Sequence, residues 1–124
     1  MHAQVTLRVP EKLGPAATFG VSELADALTG RGYALVERSG GMEIVLARTG
    51  DPPPAGLSLP KPGRRPESYT IARLAVQVLA VVGSDENGLL YGCLDLAEQL
   101  DMGVDLGGVA ERNIVPELAV RGVY

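Results

Sequence analysis

The chain has 124 residues, enough for one domain that buries roughly two-thirds of its unfolded surface without a covalent staple. Its net charge of −4 lacks the basic footprint of a nucleic-acid surface, and no apolar run approaches the roughly 18 residues of a membrane span. One histidine (His2) and one cysteine (Cys93) cannot supply the usual zinc ligand sets or an internal disulfide, and a histidine-dependent nucleophile would have to recruit His2.

In chain order, Val5, Leu7 and Val9 alternate with polar residues, which predicts a strand closed by Pro10. A loop over Glu11 to Ala17 leads to a helix capped by Thr18 or Ser22, with Val21, Leu24, Ala25 and Leu28 on one face and Gly30 and Gly32 at its end. Tyr33 to Glu37 reads as a second strand, parallel to the first through a right-handed crossover. Met42 to Arg48 reads as a third, joined to the second by a hairpin at Ser39-Gly40-Gly41.

Gly50 to Pro66 breaks the pattern. It holds six of the nine prolines, Pro52, Pro53, Pro54, Pro60, Pro62 and Pro66. Proline lacks an amide donor, so this stretch is expected on the surface, outside any ladder, as a mobile excursion or a contact loop. Lys61, Arg64 and Arg65 within it read as solvated.

Ser68–Ala72 and Val76–Val82 read as a hairpin linked by Arg73-Leu74-Ala75, the second strand central because it is apolar on both faces. After the turn Gly83-Ser84-Asp85-Glu86-Asn87-Gly88, the stretch Leu89–Leu100 has Leu89, Cys93, Leu96, Ala97 and Leu100 at helical spacing. Met102–Gly108 and Glu111–Leu118 read as irregular, and Ala119–Tyr124 as a terminal strand.

The turn and second helix form the motif around which the chain is organised. Gly83 and Gly88 have the spacing of a phosphate loop, but Leu89-Leu90 stand where Lys and Ser/Thr belong, so a helix-capping turn is the better reading. The echo of a calcium loop in Asp85-Glu86-Asn87-Gly88 fails for want of later ligands. Gly88 and Gly92 let a helix start close to a strand. Asp85 suits the helix N-terminus, and Tyr91 is expected to bury its ring and bond through its hydroxyl. Glu67, Asp85, Glu86, Asp95 and Glu98 are the acids from which a glycosidase pair could be drawn. Asp95 and Glu98 are helical neighbours expected on a solvated stripe, and Cys93 reads as a small core residue.

Glu67-Ser68-Tyr69-Thr70-Ile71, the run Gly83-x-Asp85-x-x-Gly88-x-x-Tyr91-Gly92 and the helical Asp95-Leu96-Ala97-Glu98-Gln99-Leu100 together resemble the small domain that precedes the catalytic barrel in certain glycoside hydrolases. The similarity is to the second domain of β-N-acetylhexosaminidases and the N-terminal domain of α-glucuronidases. It spans about residues 20–124, and Arg121-Gly122-Val123-Tyr124 is similar to the strand that opens their (β/α)8 barrel. The Arg73-Leu74-Ala75 link and the proline loop depart from the pattern.

The expected fold is therefore a single α+β domain over residues 1–124: a mixed, mostly antiparallel sheet with two helices on one face, in βαββ…ββα order. The resemblance implies a non-catalytic accessory domain supporting a (β/α)8 barrel of the same polypeptide; the alternative is a stand-alone interaction or ligand-binding module. No catalytic, cofactor or metal residue is named. The structural motif residues are Gly83, Asp85, Gly88, Tyr91, Gly92 and Gln99. Self-association through an exposed docking face near the terminal strand is expected. No leader pattern follows Met1, which leaves the compartment open.

Overall fold

The computed structural model describes residues 3–37, 41–54 and 56–116. Its elements are β1 (Gln4–Arg8), α1 (Pro15–Gly30), β2 (Ala34–Leu35), β3 (Met42–Arg48), β4 (Tyr69–Ala75), β5 (Val78–Gly83), α2 (Glu86–Asp101), a 3-10 turn at Leu106–Gly108, and β6 (Arg112–Ile114). The strands form one sheet in the order β2-β1-β3-β5-β4-β6. The expected mixed α+β sheet with two helices is observed. Its balance tips toward parallel: β2, β1, β3, β5 and β6 run the same way, and β4, between β5 and β6, opposes them.

Burial explains the order. β3 is buried over Ile44-Val45-Leu46-Ala47, and β5 over Leu79 to Gly83, so both need neighbours on each side and cover on each face. They sit at the centre, with β5 where its two-sided apolar pattern places it. The expected hairpin between β2 and β3 does not form. β1 lies between them and pairs with both in parallel, and β2 is a two-residue edge strand with Leu35 exposed. The crossover through α1 carries the chain outward from β1, which leaves the inner side of β1 free for the more apolar β3.

One face of the sheet presents Val5, Ile44, Leu46, Leu79, Val81, Tyr69 and Ile71 to the helices. α1 buries Ala17, Leu24, Ala27 and Leu28, and α2 buries Leu89, Cys93, Leu96, Ala97 and Leu100, so the periodic stripes read from sequence are the packed ones. α1 begins earlier than expected, with Pro15 in its first turn and Gly14 at the cap. Neither Thr18 nor Ser22 caps it; proline tolerates this position because its missing N–H would have no helical partner.

The opposite face is also dry. Val45, Ala47, Ala80 and Val82 are buried beneath Leu57 and Leu59 of the proline-rich segment, with Leu74 and Val78 at the margin. The segment is thus neither a free excursion nor only a contact loop: its prolines keep it out of the ladder while its two leucines seal the sheet. The β4–β5 hairpin turns at Val76-Gln77, three positions beyond the start of the expected link, with an irregular register between Arg73 and Ala75. The stretch read as irregular around Pro116 supplies β6, an edge strand on β4. The expected terminal strand Ala119–Tyr124 lies outside the described residues. Among the described residues no helix is long and apolar enough to cross a membrane.

Replacing Leu57 and Leu59 together by alanine should lower the unfolding free energy by about 2–4 kcal/mol, measured by urea melts, because it uncovers the second face of the sheet.

Candidate functional site

The motif turn is a steric device first. A Cβ on Gly83 would collide with the backbone of Gly88 and Leu89, one on Gly88 with the carbonyl oxygen of Ser68, and one on Gly92 would lie 2.5 Å from Val81 Cγ1. Each glycine lets α2 approach β4 and β5 more closely than side chains allow. Asp85 Oδ1 accepts the Gly88 amide at 2.7 Å, and the same carboxylate accepts the Glu67 amide at 3.2 and 3.1 Å. Asp85 therefore caps α2 and also holds the approach to β4, where Glu67 adopts a left-handed φ of 65°.

Glu86, the first residue of α2, reaches across to α1. Its Oε2 accepts the Ala17 amide at 3.3 Å, so the second helix supplies the cap the first helix lacks. Its Oε1 accepts from Arg48 at 3.0 Å. Arg48 also donates to Asp51 through Nε at 3.1 Å and to the Lys12 carbonyl at 2.7 Å. Hydrogen bonding to Asp51, and then to Glu86, raises the basicity of this guanidinium against the opposing effect of burial.

Arg48 ends β3, beside the end of β1. The connection from β1 crosses the helix face, while that from β3 crosses the opposite face, so the strand ends flank a crevice of the kind that holds ligands in open α/β sheets. A cavity of about 550 Å³ opens there, floored by Val45 and Ala47 and walled by Pro10, Pro52 and Pro54. Its central charges, Arg48 and Asp51, are spent on each other and on the backbone, while Arg8, Glu11 and Lys12 stand along its rim.

A second polar cluster lies where α2 meets β4 and β6. The Tyr69 hydroxyl donates to Asp95 Oδ2 at 2.6 Å, Gln99 Nε2 donates to Asp95 Oδ1 at 3.3 Å, and Arg112 Nε lies 3.4 Å from Asp95 Oδ2. Gln99 Oε1 accepts the Ala110 amide at 2.9 Å, which ties the chain after α2 back to the helix. Asp95 is thus a largely buried anchor rather than part of a solvated stripe; only Glu98 is exposed as expected. The roles of the tyrosines are exchanged. Tyr69 is buried and bonds through its hydroxyl, whereas Tyr91 is 42% exposed. Burial, followed by the bond to Asp95, pushes the Tyr69 phenol well above its usual range, and burial pushes the Cys93 thiol up to about 12.

Of the motif residues, Gly83, Asp85, Gly88 and Gly92 come together at the start of α2, Gln99 joins the Asp95 cluster, and Tyr91 stands outside. Sequence reasoning missed Arg48 and Arg112; it named Glu86 among the acids but not its reach to α1 and Arg48. The signal for Arg48 was a charge ending a strand otherwise buried on both faces. Among the described residues no group of three or more His, Cys, Asp or Glu could hold a metal ion.

No family model matches the chain, and no curated protein matches it in sequence. Solved structures do match in fold. A GH138 enzyme targeting pectin rhamnogalacturonan II superposes over 91% of this chain at 23% identity and a TM-score of 0.69. A GH115 4-O-methyl-α-glucuronidase with specificity for decorated arabinogalactans superposes over 80% at 20% identity and a TM-score of 0.63. The matched regions are 12% and 14% of those two chains, so this chain spans a small fraction of either enzyme. The α+β architecture is therefore one found within glycoside hydrolases.

Gly92→Val should destabilise by about 1–3 kcal/mol through overpacking against Val81, and Asp85→Ala by about 1–2 kcal/mol through loss of the cap and the Glu67 tie; neutral denaturant melts for both would contradict this packing. Cys93 and Tyr69 keep their protons in the fold at pH values where the unfolded chain has released them. Their contribution to stability should therefore be level below pH 9.0 and be lost as pH rises toward about 12. Cys93→Ala should make that loss smaller, as read from urea midpoints against pH.

Proposed function

We propose that this chain is a non-catalytic accessory domain of a carbohydrate-active glycoside hydrolase, of the type that stands beside a (β/α)8 catalytic barrel in β-N-acetylhexosaminidases and α-glucuronidases. The observation that carries the reading is the superposition of nearly the whole chain on about one-eighth of a glycoside hydrolase. The local groups support the reading. Asp85 is spent on capping, Glu86 on Arg48 and α1, and Asp95 on Tyr69, Gln99 and Arg112. Glycoside hydrolysis needs a free acid and a free carboxylate facing one bond, and these carboxylates are committed to the fold.

In this reading the domain packs against the barrel and supports it. Exposed apolar side chains are available for such packing: Phe19 is 54% exposed, Val9 42% and Val115 40%. The alternative, a stand-alone interaction module, would use the same surface.

The isolated chain should turn over no aryl glycoside, whereas a polypeptide that joins it to a barrel should do so through acids of the barrel; turnover by the isolated chain that disappears on mutating Asp95 or Glu98 would overturn the reading. Without its barrel the domain should also self-associate as concentration rises in light scattering. A monomer at millimolar concentration would argue against an unpartnered docking face.

A further inference from the structure

We propose that the hollow between α2 and β6 is a binding subsite for one neutral pyranose ring, a recognition site of the accessory domain's own. The proposal rests on the glycoside hydrolase reading for its ligand class and on the geometry of the hollow for its place. The cavity measures about 420 Å³ and is open to solvent, room for one sugar ring and its linkage oxygens. Tyr91, Leu94 and Ile114 supply its apolar wall, and Asp95, Glu98 and Arg112 its polar one.

A pyranose presents two unlike surfaces: a face of C–H bonds that stacks on an aromatic ring, and an equatorial belt of hydroxyls that hydrogen-bonds to charged side chains. The hollow offers both. Tyr91 is 42% exposed and Ile114 39% exposed, so both side chains are accessible to a ligand in the hollow. The polar wall is set in advance. Asp95 is held by the Tyr69 hydroxyl at 2.6 Å, by Gln99 at 3.3 Å and by Arg112 Nε at 3.4 Å. Arg112 is thereby fixed through one nitrogen while its two terminal nitrogens make no bond among the described residues. Glu98 has no partner among the described residues, so it is free to accept a pair of neighbouring hydroxyls. A purely protein-binding surface would bury an apolar centre with charges at the rim; here donors and acceptors converge on the hollow itself, which suits a small polyhydroxylated ligand.

The field favours neutral sugars, because the one cation of the hollow, Arg112, is paired with Asp95 and Glu98 stands beside them with a further negative charge. The adjoining groove between the helices, which shares Leu94 and Glu98, is lined by Glu23, Asp26 and Asp101, and neither helix carries a lysine or arginine. A uronate would bring its carboxylate against this acidic surface.

The test is a titration of the isotope-labelled chain followed by amide chemical shifts, with methyl β-D-glucopyranoside, methyl β-D-galactopyranoside and sodium D-glucuronate as probes. At least one neutral glycoside should shift Tyr91, Glu98, Arg112 and Ile114 with a millimolar dissociation constant, on the order expected for one ring on an open site. Tyr91→Ala should weaken it about tenfold or more and Glu98→Gln about threefold, glucuronate should bind more weakly still, and Val76→Ser at the distant hairpin tip should change nothing. Absence of shifts up to 100 mM (about tenfold above a weak millimolar constant) with every probe would overturn the subsite while leaving the accessory reading intact. Shifts that survive Tyr91→Ala, or that follow protein concentration and are indifferent to sugar, would overturn it as well. Binding accompanied by aryl glycoside turnover would keep the subsite and overturn the accessory reading.

Discussion

The structure depends on how closely the first turn of α2 lies against β4 and β5. Gly83, Gly88 and Gly92 remove the Cβ atoms that would hold the elements apart. Asp85 then fastens the contact by accepting amides from α2 and from the approach to β4. Everything central follows from that approach. Leu89, Cys93, Leu96 and Leu100 reach the sheet, Tyr69 reaches Asp95, and Glu86 is brought within reach of α1 and Arg48. Larger residues at the three glycines would push the helix outward and loosen these contacts as a group, since a packed interior does not deform one contact at a time.

The elements whose signals are local were legible in the sequence. The helical stripes, the Asp85 cap, the glycines of close approach and the central place of β5 rest on spacing and turn chemistry. What was not legible is relational. Periodicity shows that β3 is apolar on both faces, but not that β1 is its neighbour rather than β2. Nothing in the run of prolines distinguishes a free loop from one whose Leu57 and Leu59 close a sheet. In the candidate sites, i, i+3 spacing placed Asp95 beside Glu98 but gave no hint that a strand 26 residues earlier presents Tyr69 to one of them. β6 escaped notice because three exposed residues, Arg112 to Ile114, have no burial pattern to read.

The polar groups divide by whether the fold has used them. Arg48, Asp51, Glu86 and Asp85 hold the ends of strands and helices together, and their charges are largely satisfied there. Along the outer side of the helices, Glu23, Asp26, Glu98 and Asp101 have no such partners among the described residues. Glu98 and Asp101 also sit near the negative end of the α2 dipole, where carboxylates are least favoured. Acids placed against the dipole and left unpaired serve the surface rather than the stability of the helix.

The capping of α1 by Glu86 has a kinetic side. The amide of Ala17 finds its acceptor 69 positions later in the chain, and the parallel pairing of β3 with β5 likewise joins segments that are far apart in sequence. The first helix can gain its turns early, but its N-terminus is completed only when the last helix arrives. Closure entropy must be spent before these contacts form, a cost that short-range contacts do not carry.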